Sequence, residues 1–241
     1  MSAPPTPPVS PTKITHQTRS VRTVIVCLPE QAKPGFLPEL ATCALAVRGV
    51  TADGVIPHFH TTTRRHRNLL VDCWQQRTSG GPIRLLDLYT MRQTAMLAAA
   101  AQWMMWQHVV AGTRPASPFW HFADRHADNP QRYPLVRTQQ EYRSQPRIIA
   151  MVAYNACPNR PYPLPTADLE AFQAGYATYT RLAWLAAVPA HGLAVADEDG
   201  DGWLTTRSER LADQLDYLHA ANGRLARLGE RTQLVAMATA A

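Results

Sequence analysis

Several groups of side chains in this sequence have the types and spacing to do chemistry. His58 and His60 flank Phe59. On a strand side chains alternate with a period of two, so both imidazoles point the same way and could share one divalent ion. Just beyond them Arg64, Arg65, His66 and Arg67 crowd the start of a helix expected over 64–77, with Thr61, Thr62 and Thr63 available as N-caps. Cations at a helix start oppose the macrodipole, at a cost of about 0.3–1 kcal/mol each when exposed. A bound anion would offset that cost, because free helical N–H groups and guanidinium forks both grip phosphate. Asp197, Asp199 and Asp201 form a cluster of hard oxygen donors of the kind that hold calcium. Tyr176 and Tyr179 stand on an expected helix with Arg181 beside them, and a tyrosine hydroxyl can serve as a nucleophile. His121, Asp124, Arg125 and His126 crowd a short segment that reads as a surface helix pinned by Phe119, Trp120 and Phe122.

Two of these groups are similar to known motifs. The stretch from Asp197 to Glu209 resembles the calcium loop of an EF-hand: Asp197, Asp199 and Asp201 take positions one, three and five, Gly202 position six and Leu204 position eight. Ser208 stands at position twelve, where that family has a bidentate Glu, and Glu209 follows it. The resemblance implies calcium at the three aspartates. The His58-Phe59-His60 pattern is similar to the His-hydrophobic-His motif of rolling-circle replication initiators and relaxases. That resemblance implies a magnesium or manganese ion on His58 and His60, with Tyr176 or Tyr179 attacking a DNA phosphodiester. Phosphate-binding glycine loops, dinucleotide turns, His-Glu-x-x-His zinc helices and nucleophile elbows do not occur in the sequence.

The elements that must position these groups read mainly as helices. The stretch 87–112 is apolar on every side, which predicts a buried central helix. Gln102, Gln107 and His108 interrupt it, so it falls short of the roughly twenty consecutive apolar residues of a membrane span. Further helices are expected near 37–48, 64–77, 118–126, 138–143, 166–188 and 208–221, while 147–154 fits either a strand or a helix. Strands are expected at 21–28, briefly at 55–60, and as a small hairpin over 193–196 and 203–205. The final LVAMATAA reads as a frayed tail. Residues 1–20, with Pro4, Pro5, Pro7, Pro8 and Pro11, read as a disordered tail. Residues 21–241 then form a single helix-rich domain, with a sub-boundary at the proline-rich 158–165. The expected fold class is mainly α, or α+β: a helical bundle around one buried central helix with a few short peripheral strands.

Charge bears on the partner. The net charge is +6, split between +10 over residues 1–160 (18 basic, 8 acidic) and −4 over 161–241 (6 basic, 10 acidic). A basic front suits an anionic partner or the acidic back of another copy. Lys13 and Lys33 are the only lysines, an arginine bias typical of a GC-rich bacterial genome. The four scattered cysteines predict buried free thiols in a reducing, cytoplasmic compartment. The leading expectation is a non-catalytic cytoplasmic accessory or regulatory protein. It would bind a nucleic-acid backbone, or another anionic partner, through Arg64, Arg65, Arg67 and His66. The enzymatic alternative is a metal-dependent phosphodiesterase or DNA nickase using His58 and His60 with a tyrosine. A third is a structural module that forms a homo-oligomer. No membrane partner is expected, and no cofactor beyond a divalent ion at the histidines or the acidic turn.

Overall fold

A computed structural model of the chain describes residues 21–61, 65–196 and 202–240. Strand β1 (Val21–Leu28) leads into helix α1 (Leu37–Ala46). Strands β2 (Ala52–Val55), β3 (Phe59–His60), β4 (Arg77–Thr78) and β5 (Gly80–Pro82) follow. Then come α2 (Leu88–Val109), α3 (Phe119–Asp128), α4 (Leu135–Arg143), α5 (Pro146–Ala156), α6 (Leu169–Gln173) and α7 (Tyr176–Ala186). The hairpin β6 (Gly192–Val195) and β7 (Trp203–Thr205), α8 (Leu211–Leu225) and β8 (Gln233–Ala240) complete the chain.

A six-stranded mixed sheet organises the molecule, in the order β2, β8, β1, β6, β7, with β5 also paired to β8. β1 lies between β6, which runs parallel to it, and β8, which runs antiparallel. Alternate residues of these strands enter two different cores. Val24, Val26, Leu28, Ala194, Val235 and Met237 pack with Leu37, Ala41 and Leu45 of α1. Ile25, Cys27, Leu193, Val195, Leu234 and Ala236 pack on the other face with Tyr217, Leu218, Ala221 and Leu225 of α8. Burial on both faces is why these strands are apolar at consecutive positions rather than at every second one.

The helices from α2 to α7 build a further core beside the sheet. The Phe172 ring is fully buried between Trp106, stacked at 5.2 Å, and Tyr179, stacked at 4.2 Å. Leu164, also fully buried, is held by Asn155, whose side chain donates to its carbonyl at 2.7 Å and accepts from its N–H at 2.8 Å. α2 ties the two regions together: its Met91 belongs to the sheet core, and its Ala99 and Trp106 to the helical one. The Asp87 carboxylate caps α2 by accepting the Thr90 N–H at 3.0 Å.

This architecture corrects the expectation of a helical bundle with few peripheral strands: the fold is α+β, and the sheet is its centre. The C-terminal stretch expected to fray is β8, whose partners are β1, β2 and β5. α2 is not buried all round, because Leu97 is 64% and Met104 65% exposed. Among the described residues 65–77 of the helix expected over 64–77 no α-helix forms; residues Arg67–Leu69 make a single 3-10 turn and the chain then enters β4. The helix expected over 166–188 breaks at Gly175, whose φ of 101° lies outside what side chains tolerate. The 147–154 segment is helical, and the 193–205 hairpin forms as expected. Two of the cysteines expected to be buried, Cys43 and Cys157, are exposed. Among the described residues no helix is long and apolar enough to cross a membrane.

Candidate functional site

The candidate site grows out of a divided strand. β2 pairs with the C-terminal half of β8 and β5 with its N-terminal half, so the two lie in line along one edge. They meet at Ala236, which accepts the Ile56 N–H at 3.0 Å and donates to the Ser79 carbonyl at 2.8 Å. Between these two bonds the chain makes an excursion from Pro57 to Thr78. Its return needs glycine: a Cβ on Gly80 would lie 2.3 Å from the Leu234 carbonyl oxygen, and one on Gly81 2.6 Å from Leu70 Cδ2.

The excursion is anchored at its base and polar at its tip. Phe59, Leu70 and Cys73 pack into the sheet core, while β3 and β4 pair antiparallel, with Phe59 opposite Thr78 and His60 opposite Arg77. The Thr78 hydroxyl faces two carbonyls, those of Val71 at 2.5 Å and Gly80 at 2.9 Å. At the tip the Trp74 N–H donates to the Arg77 carbonyl at 2.8 Å and the Arg77 N–H to the Trp74 carbonyl at 2.9 Å. Gln75 takes a φ of 53°, the left-handed value this kind of tight turn asks of its first central residue.

The tip is basic. Arg65, His66, Arg67 and Arg77 are all exposed on the excursion, and Asp72 is its one carboxylate. His60 and Arg77, directly opposite one another, share one face of the small ladder. His58 is partly buried beneath them, and its Nε2 lies 3.1 Å from the Val188 carbonyl. A carbonyl only accepts, so in the neutral ring this nitrogen carries the proton. Burial, and then the charges of Arg77 and His191, hold the His58 imidazole below its ordinary range against two backbone carbonyls that favour the cation. His191 is likewise depressed, by burial and then by Arg22, while its Nδ1 accepts the Thr23 N–H at 3.2 Å. Both histidines therefore favour the neutral form, and the fixed charge of the patch comes from its arginines.

The other candidates lie elsewhere. Tyr179 stands in the first turn of α7 and His58 meets the chain just past its last turn, about 13 Å along the axis at 1.5 Å per residue. The Tyr179 hydroxyl donates to Gln102 Oε1 at 2.9 Å and lies 3.4 Å from Asp168 Oδ2. Burial, and then the Asp168 charge, push it above the ordinary phenol range, against use as a nucleophile. Tyr176 is 47% exposed, its ring edge against Trp103 at 5.5 Å. Among the described residues no three His, Cys, Asp or Glu side chains gather where they could hold a metal ion. Arg64 and the calcium-like aspartates Asp197, Asp199 and Asp201 lie outside the described residues. Asp124 pairs with Arg210 at 2.8 Å, Arg125 with Glu141 at 3.8 Å, and His126 Nδ1 meets the Tyr133 carbonyl at 2.8 Å, so that group braces a surface. A groove of about 640 Å³ lined by Phe119, Tyr142, Ile149 and Val152, with Arg143 at its side, holds none of the candidate residues.

Sequence reasoning located the basic cluster and missed its setting. His66 and Arg67 head only a single 3-10 turn of three residues, so the macrodipole of a roughly four-turn α-helix inferred to oppose them does not arise. Trp74, expected on an apolar helix face, is 76% exposed. Arg77 and His191 carried no signal in sequence. The Gln75-Gln76 turn lacks the Asn-Gly or Asp-Gly signature that marks such hairpins. The chain matches no protein-family model, no curated protein and no solved structure.

Proposed function

We propose that the protein is a non-catalytic accessory or regulatory factor that binds a nucleic-acid backbone through the 57–78 excursion. The carrying observation is the exposed set Arg65, His66, Arg67 and Arg77, with half-buried His60 opposite Arg77, on an excursion whose sequence holds one carboxylate. Exposed guanidinium groups bind phosphate through paired N–H donors, and displaced counterions drive the association. The feet of the excursion are held at Ala236, and Phe59 and Leu70 are buried, so the backbone on which Arg77 stands is set before binding.

The prediction is concrete. Fluorescence anisotropy with a labelled 15-nucleotide oligomer should show binding that weakens steeply with salt. The Arg67→Ala/Arg77→Ala double variant should flatten the slope of log K against log[salt] by about 1.4 for a single strand, at roughly 0.7 per lost phosphate contact. An unchanged slope removes this surface from the interface. Absence of binding at about 20 mM salt, where phosphate contacts are strongest, refutes the proposal.

The phosphodiesterase reading has less support. It would require His58 to leave the Val188 carbonyl and a tyrosine hydroxyl to approach from the far end of α7.

A further inference from the structure

We infer that Trp74 is a stacking platform for an unpaired base, so the ligand of the excursion is single-stranded nucleic acid. This rests on the backbone-binding proposal above and adds the class of ligand. Trp74 is 76% exposed, although burying an indole is strongly favourable. Its backbone is held by the paired N–H to carbonyl bonds with Arg77, so its position is set before any ligand arrives. Trp103, Trp106, Trp120, Trp184 and Trp203 are all buried or partly buried.

The surroundings of the ring select the partner. A protein-binding anchor of this size sits within an apolar patch that excludes water. Here the exposed residues beside it in the chain are Asp72, Gln75, Gln76 and Arg77, with Arg65, His66, Arg67 and Asn68 on the same excursion. An exposed indole paired cross-strand with an arginine, with two amide residues in the turn between them, matches the chemistry of a strand whose phosphate meets the arginine while a base lies on the indole. In a duplex the bases already stack on one another, and a ring on a short tip would have to displace one of them. An unpaired base stacks without that loss, and every base offers a face.

The test uses the full chain with a fluorescein-labelled 15-mer of deoxythymidine and a duplex of equal length, the two compared at each concentration of one salt series that starts at about 20 mM. The wild type should bind the single strand more tightly than the duplex. Trp74→Ala should weaken single-strand binding by about tenfold or more, within the range of one base–aromatic stack, and leave duplex binding and the salt slope unchanged. Trp74→Phe should recover most of the loss, and tryptophan emission should be quenched on binding. Duplex preference, or a Trp74→Ala variant that binds the single strand like the wild type, overturns the inference while the backbone proposal stands. Binding of neither oligomer at low salt overturns both. Emission that blue-shifts on anionic vesicles, with no quenching by the single strand, assigns the ring to a lipid surface and also overturns the inference.

Discussion

His58 shows how one side chain can link the candidate site to stability. Its imidazole is partly buried and satisfied by the Val188 carbonyl, and burial followed by Arg77 and His191 holds its pKa below the ordinary 6.5. The unfolded chain therefore takes up protons that the folded one refuses. The stabilisation from neutral His58 is present above about pH 6.5 and is lost as pH falls toward the depressed folded value. His191, depressed in the same direction, adds to the same slope. Urea midpoints should therefore fall between pH 7 and pH 5. His58→Gln, which can still donate to the carbonyl, should remove part of that fall, whereas a slope identical to the wild type would show that His58 titrates normally. The residue scale is also where sequence misled most about the site. Phe59, between the two histidines, is fully buried. The alternation of His58, Phe59 and His60 says nothing of Val188, which occupies the ring nitrogen of His58 from a distant part of the chain.

The divided edge strand is the feature that turns the sheet into a scaffold. Its return segment passes so close to β8 that any side chain at Gly80 would strike the Leu234 backbone. Gly80→Ala should therefore lower stability by about 1–3 kcal/mol, toward the upper end because the obstacle is backbone rather than a flexible side chain. Gly35→Ala, where an added Cβ meets nothing within 4 Å, is the matched control and should leave the urea midpoint nearly unchanged. Equal effects at the two positions would contradict the close approach of β5 to β8. Local signals served well for elements that close on themselves. The pairing of β6 with β7 was legible from two short apolar stretches on either side of a Gly- and Asp-rich sequence, and α2 from its length and apolar content. The helix expected over 64–77 was not, because Leu69, Leu70, Cys73 and Trp74 have helical spacing by coincidence. The chain turns at Trp74 to satisfy backbone bonds with Arg77 and with β3.

At the scale of the whole molecule the sheet closes only when the end of the chain reaches its beginning. β8 is made of Gln, Ala, Thr, Val, Leu and Met and carries little local signal. Its role depends on β1, to which it pairs along its full length from Leu28 opposite Gln233 onward. Such non-local pairing is invisible to periodicity, and this is why a central strand was taken for a tail. A chain ending at Thr232 should therefore fail to fold, giving a disordered circular-dichroism spectrum, whereas loss of a frayed end would leave the melting temperature unchanged. The basic front and acidic back were legible as totals, but their structural meaning was not, since the exposed arginines of the excursion belong to a projection that only the sheet defines. That projection has a consequence for how such a protein can change. Both of its feet stand on Ala236, one on its carbonyl and one on its N–H. The ladder therefore closes the same way whatever is spliced between them, provided that two apolar side chains stand in for Phe59 and Leu70 over the sheet. The recognition surface is in this sense a cassette: its length and specificity can drift, or be transplanted, without rewriting the fold that carries it.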